Sequence, residues 1–90
     1  MYFINYSELA GLTNAGFNKT EIKVSVSGTT KTTTVYGGKA NVTDPATADS
    51  RTDWEIMRSV IVEDGDTTNV TTAWSRGSWN DRESLIYKYL

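Results

Sequence analysis

At 90 residues the chain has material for one small domain, and at that size only about two-thirds of the unfolded surface is buried on folding, so partner contacts have room to add stability. Charged residues make up 22% and hydrophobic ones 38%, a balance that excludes an intrinsically disordered chain and a bundle of membrane helices. The net charge is −2, and the nine Lys and Arg are scattered from Lys19 to Lys88 and never adjacent; phosphate backbones are gripped by clustered cations, so no nucleic-acid partner is expected.

There is no Cys and no His. Disulfides, thiolate metal ligands and a thiol nucleophile are therefore absent, as are the commonest general base and the commonest metal ligand. Small secreted domains lean on disulfides, which weighs against a free extracellular life. No apolar run approaches the ~18 residues of a membrane helix, so no membrane partner is expected.

Taken in chain order, residues 1–20 read as an N-terminal arm. Met1 to Tyr6 suits an edge strand, and Ser7 suits the cap of a short helical turn that the Gly- and Asn-containing stretch Gly11 to Asn18 would end. The opening Met1-Tyr2-Phe3-Ile4-Asn5-Tyr6-Ser7-Glu8 lacks a positive start and does not read as a signal peptide. Glu21 to Ser27 alternates, with Ile22, Val24 and Val26 on one face, which is the period of a half-buried strand. Ser27-Gly28-Thr29 reads as a turn and Thr30 to Tyr36 as the returning strand, its Thr-rich face toward water and its end at the break Gly37-Gly38.

Lys39 to Thr52, with Asp44-Pro45 inside it, reads as a long surface loop. Trp54 to Val62 is the strongest strand. One face carries Trp54, Ile56, Val60 and Val62, interrupted by Arg58, and the other carries Met57 and Ile61. Glu63-Asp64-Gly65-Asp66 makes the next turn, Thr67 to Trp74 returns, Arg76-Gly77-Ser78 turns again, and Glu83 to Leu90 is the last strand. In that strand Leu85, Tyr87 and Tyr89 share one face, and Ile86 and Leu90 the other. Fourteen Thr and ten aromatic residues favour a pleated sheet. The expected fold is a single all-β domain over residues 1–90: a small antiparallel β-sandwich or barrel built from hairpins. Strands apolar on both faces are covered twice or meet a partner, so self-association or docking is expected.

Each chemical motif has a structural explanation. Glu63, Asp64 and Asp66 resemble a Ca²⁺ loop only in having oxygen ligands; the further ligands and closing Glu are missing, and a solvated turn explains them. Gly37-Gly38-Lys39 lacks the spacing and the following Ser or Thr of a phosphate loop. Asp53 and Glu55 share a predicted strand face, but a chain this short leaves little room for the cleft that glycoside hydrolysis needs. Trp54, Trp74, Trp79, Tyr87 and Tyr89 offer rings for stacking on glycans, against the plainer role of core and interface packing. Arg58 shares a face with Trp54, and Arg82 is expected to be pinned by Asp81 beside the aromatics. Four glycosylation sequons begin at Asn5, Asn18, Asn41 and Asn69, as chance alone supplies in a chain so rich in Asn and Thr. No catalytic set, metal site or cofactor site emerges, and no enzymatic activity is expected.

Gly38-Lys39-Ala40, Trp54-Glu55-Ile56-Met57-Arg58, Asp64-Gly65-Asp66-Thr67 and Trp79-Asn80-Asp81-Arg82-Glu83-Ser84-Leu85-Ile86-Tyr87 occur in that order. This series resembles short virion structural proteins of tailed bacteriophages, with a Trp-x-Ile-x-Arg strand, an acidic Gly turn and a terminal Trp-x-Asp-Arg-x-x-Leu-x-Tyr segment. The likeness covers residues 36–89; Glu55 departs from it, standing where the pattern more often has a basic or neutral polar residue. The resemblance implies a many-copy component of a virion, as capsid decoration or as part of the neck, tail or fibres, with itself and other virion proteins as partners. Trp54, Ile56, Arg58, Trp74, Trp79, Asp81, Arg82, Leu85, Tyr87 and Tyr89 would form the core and its adjoining assembly contacts.

Overall fold

The computed structural model of the chain describes residues 17–40 and 48–89. Five strands follow one another: β1 (Lys19–Ser27), β2 (Thr30–Lys39), β3 (Trp54–Asp64), β4 (Thr67–Gly77) and β5 (Lys88–Tyr89), with a short 3₁₀ helix, Trp79–Asp81, before the last. Each pairs antiparallel with the next, so the sheet order is the chain order. The all-β, antiparallel, hairpin-built expectation holds. In place of a sandwich or a closed barrel, the described residues form one open sheet, because every strand pairs only with its neighbours in sequence. The expected N-terminal edge strand and helical turn lie outside the described residues.

Both tight hairpins have two-residue loops, Gly28-Thr29 and Gly65-Asp66. Gly28 and Gly65 have φ of 61° and 59°, and among the described residues no non-glycine has a positive φ. A glycine at the first loop position with an ordinary residue at the second matches the II′ turn, whose twist suits the flanking strands.

Alternation divides the sheet into two faces. The tryptophan face carries Trp54, Ile56, Arg58, Val60 and Val62 of β3, opposite Gly38, Tyr36 and Thr34 of β2 and Gly77, Ser75 and Ala73 of β4. Trp54 and Ile56 are fully buried there, with Tyr36 and Trp79 nearly so, and Ala40, Ala48, Leu85 and Tyr87 pack against them. The second face carries Val35, Met57 and Ile61, all buried. β3 is thus apolar and covered on both faces, as its sequence suggests.

Three local expectations are corrected. Gly37-Gly38 does not break β2, which runs through both to Lys39. The glycines answer to packing: a Cβ at Gly38 would lie 2.5 Å from Trp79 Cζ3 and 3.0 Å from Trp54 Cε3, and one at Gly37 would lie 3.0 Å from the Phe17 ring. Gly38→Ala is therefore expected to cost about 1–3 kcal/mol, as overpacking does. Gly77→Ala meets only the flexible end of Leu85 and should cost less. Thermal unfolding of the two variants checks the order.

Burial also redistributes the first hairpin. Val24 and Val26 on β1 are 49% and 68% exposed, because β1 is an outermost strand. On the inner strand β2, Thr30, Thr32 and Thr34 are half-buried rather than open to water, and Thr33 is buried on the second face. Finally, the expected strand Glu83 to Leu90 is reduced to Lys88–Tyr89. Gly77 still belongs to β4, and the chain turns only at Ser78, whose Oγ accepts the Asp81 N–H at 3.3 Å. The peptide N–H groups of Arg82, Ser84 and Leu85 then bond back to Trp79 and Asp81 carbonyls, so these residues coil instead of extending. Leu85 and Tyr87 reach the core while Ile86 is left 82% exposed.

Candidate functional site

The coiled segment after β4 lies across the tryptophan face and is locked there by two arginines. Arg82 reaches back to β1, donating from Nε and Nη2 to the two Glu21 carboxylate oxygens at 3.0 and 2.7 Å, and from Nη1 to the Trp79 carbonyl at 2.9 Å. Its guanidinium also lies 4.9 Å from the Trp79 ring centroid. The planar fork thus meets a carboxylate along its edge and a ring with its face, a combination lysine cannot reproduce. Asp81, expected to hold Arg82, does not: its carboxylate accepts from Ser78 Oγ at 2.7 Å. Within the helical turn Asp81 is directed at its own cap, and Arg82 is free to reach across the sheet.

Arg58 lies 4.2 Å over the Tyr87 ring, and the Tyr87 ring centroid is 6.3 Å from that of Tyr36. The Tyr87 hydroxyl donates to the Arg82 carbonyl at 2.7 Å. Burial and the neighbouring Tyr36 push the Tyr87 phenol up to about 12, against the opposing pull of Arg58 and Arg82. Around this cluster Trp54 and Trp79 pack with centroids 5.7 Å apart, and Trp54 Nε1 donates to the Ala48 carbonyl at 3.0 Å. Lys19 binds Asp49 at 2.6 Å, and Lys23 pairs with Glu83. β1, the 48–53 loop and the C-terminal segment are thereby tied together.

The hydrogen bonds from Arg82 hold the Glu21 carboxyl below the usual carboxylate range, outweighing the opposing effect of burial. A carboxylate with a depressed folded pKa adds stability that is present above its unfolded value, about 4.3, and lost as pH falls through the folded value. The chain should therefore lose stability on acidification below about pH 4, and Glu21→Gln should flatten that part of the profile. Melting temperature against pH for both proteins is the check.

Of the ten residues singled out in the sequence, Trp54, Ile56, Arg58, Trp79, Arg82, Leu85 and Tyr87 converge on one face. Asp81 adjoins them through Ser78. Trp74 and Tyr89 do not join the cluster: Trp74 stands half-buried on the second face, its ring centroid 6.3 Å from that of Phe17, and Tyr89, opposite Ala73 on the tryptophan face, stays 68% exposed. Sequence reasoning missed Glu21, Tyr36 and Lys19. All three follow from the register that sets Glu21 opposite Tyr36 and Lys19 opposite Gly38, which no local pattern encodes.

The other motifs separate. Glu63 belongs to β3 and is buried, while Asp64 and Asp66 are exposed. Asp53 precedes β3 and pairs with Arg51 at 3.0 and 2.7 Å, so it does not share a strand face with Glu55. Glu55 instead lines a shallow groove of about 470 Å³ with Trp74, Ser75, Arg76 and Lys88. Among the described residues no three acidic side chains gather as a metal site would require. Comparisons with protein-family models, with curated proteins and with solved structures find no match to this chain.

Proposed function

We propose that this chain is a non-catalytic structural component of a tailed-phage virion, working in many copies through contacts with itself and other virion proteins. The observation that carries the assembly reading is the distribution of apolar surface. Among the described residues Val24, Val26, Val70, Ile86 and Tyr89 are the large hydrophobic side chains left exposed, and all lie on β1, β4 or the C-terminal segment. The outer edge of β1 is unpaired among the described residues, and β5 covers β4 only at Ala73 and Trp74. Open edges carrying apolar side chains are templates for pairing with another chain. The resemblance of the Trp54–Arg58 and Trp79–Tyr87 segments to phage virion proteins supplies the setting.

In this reading those two segments build and lock the fold, and the edges make the contacts. Many weak edges acting together would supply the avidity that one lacks. Capsid surface, neck, tail and fibre are each compatible locations. The test is co-sedimentation of the purified protein with phage particles and with empty shells or tails. Saturable binding supports the reading; a monomer that never binds particles sinks it.

A second reading, a glycan-binding β module, is favoured by one observation: the half-buried Trp74 ring beside Glu55, Arg76 and Lys88 in a shallow groove, a face with polar groups at its rim. Trp54 and Trp79 are buried in the core and cannot serve as a stacking platform. Glycan-array binding that disappears in Trp74→Ala, with the circular dichroism spectrum intact, supports this reading. A silent array removes it.

A further inference from the structure

We propose that β1 is a self-complementary edge, and that two copies of this chain pair antiparallel through it about a two-fold axis at Val24. This deepens the assembly reading and rests on it, naming the partner as a second copy. Among the described residues β1 is a nine-residue edge strand, and it contains no proline. Lysines ordinarily discourage pairing at an edge, but here both are engaged within the chain, Lys19 by Asp49 and Lys23 by Glu83. What the strand presents is the row Ile22, Val24 and Val26, half-buried at Ile22 and increasingly exposed toward the hairpin, with Val24 at 49% and Val26 at 68%.

The order of residues selects the register. Side chains directly opposite in an antiparallel pair lie on the same face. With the axis at Val24, Val24 meets Val24 of the partner subunit, and Ile22 meets Val26 of the partner subunit. All three apolar residues then find apolar partners. On the other face Lys23 meets Ser25 of the partner subunit and Glu21 meets Ser27 of the partner subunit, so no like charges are opposed. Moving the axis to Lys23 sets two lysines face to face, and moving it to Ser25 leaves Ile22 opposite Gly28 of the partner subunit. Only the Val24 register matches apolar with apolar and keeps charges apart, and two-fold pairing makes the interface the same patch on both copies.

The absence of cysteine makes the register directly testable. Opposed Cα atoms in antiparallel strands are about 4.5–5.5 Å apart, within the span of a disulfide. Val24→Cys should therefore oxidise to a covalent dimer. Val26→Cys alone should not, since the two copies of that position would be roughly 13 Å apart along the strands. A mixture of Ile22→Cys and Val26→Cys should give the mixed dimer. In sedimentation, Val24→Lys should weaken self-association by about 100-fold or more by opposing two ammonium groups at the axis, with its circular dichroism and melting temperature retained because the site is half exposed.

A native chain that stays monomeric at high concentration, or a dimer indifferent to Val24→Lys and not trapped by Val24→Cys, overturns the β1 pairing, as does an edge that pairs only with a strand of another protein. These failures leave the virion reading to stand or fall on co-sedimentation with particles, and a β1 dimer that binds no particle overturns the virion setting alone.

Discussion

Trp54→Ala is expected to lower the melting temperature of the domain by roughly 12–40 °C. Trp54 is fully buried at the first position of β3, packs on the Trp79 ring at 5.7 Å and over Gly38, and donates from Nε1 to the Ala48 carbonyl at 3.0 Å. Replacing a buried tryptophan with alanine costs about 3–5 kcal/mol, through lost transfer free energy and the cavity left behind. A domain of this size holds only about 5–13 kcal/mol in total. The cavity here would open between the sheet and the segment that carries Trp79, so the ion pair from Arg82 to Glu21 would lose its support as well. Trp54→Phe keeps a ring and gives up the hydrogen bond, so its melting temperature should fall by less. Scanning calorimetry on the three proteins decides the matter; a drop of only a few degrees in Trp54→Ala would show that the tryptophan pair is not the centre of the core.

The second large effect runs in the opposite direction. Glu63 is 1% exposed at the end of β3, and both of its carboxylate oxygens are buried without a hydrogen-bond partner. Its register neighbours are Lys31 on β2 and Thr68 on β4. Burying a carboxylate without hydrogen bonds carries a desolvation cost of about 1–3 kcal/mol or more, and an apolar side chain of similar volume does not carry it. Glu63→Met should accordingly raise the melting temperature by roughly 4–8 °C for each kcal/mol gained. Glu63→Gln, which removes the charge and keeps a buried polar group, should fall between the two. A lower melting temperature in Glu63→Met would mean that the carboxylate is held by a contact worth more than its desolvation.

If both outcomes hold, the two ends of β3 differ in purpose. The Trp54 end is built for stability, with rings, a satisfied indole and an arginine lock. The Glu63 end gives stability away close to the β3–β4 hairpin. Among the described residues, the exposed valines Val24 and Val26 of β1 and Val70 of β4 lie toward the Glu63 end of the sheet and away from Trp54.

Strand content, the two-residue hairpins and the two-sided character of β3 could be read from the residues, because period-two alternation and Gly-containing turns are local properties. Two features misled. Gly37-Gly38 looked like a break, since glycine is read locally as a loss of strand preference, whereas here it makes room for rings that arrive from residues 54 and 79. The segment after β4 looked like a strand, since Leu85, Tyr87 and Tyr89 alternate, but the Ser78 cap coiled it first.

By itself the sequence determined that this is an all-β chain without thiol or imidazole chemistry, and which side chains are large enough to make a core; those follow from residue type and short-range order. Tertiary structure decided which of those side chains met. It sent Arg82 to Glu21, 61 positions away, rather than to the adjacent Asp81. It separated Trp74 from the other two tryptophans by one step of register, and it left Val24 and Val26 exposed on β1, the outermost strand among the described residues. Each of these depends on strand order and pairing, which are set by the balance of the whole sheet and by no single stretch of it.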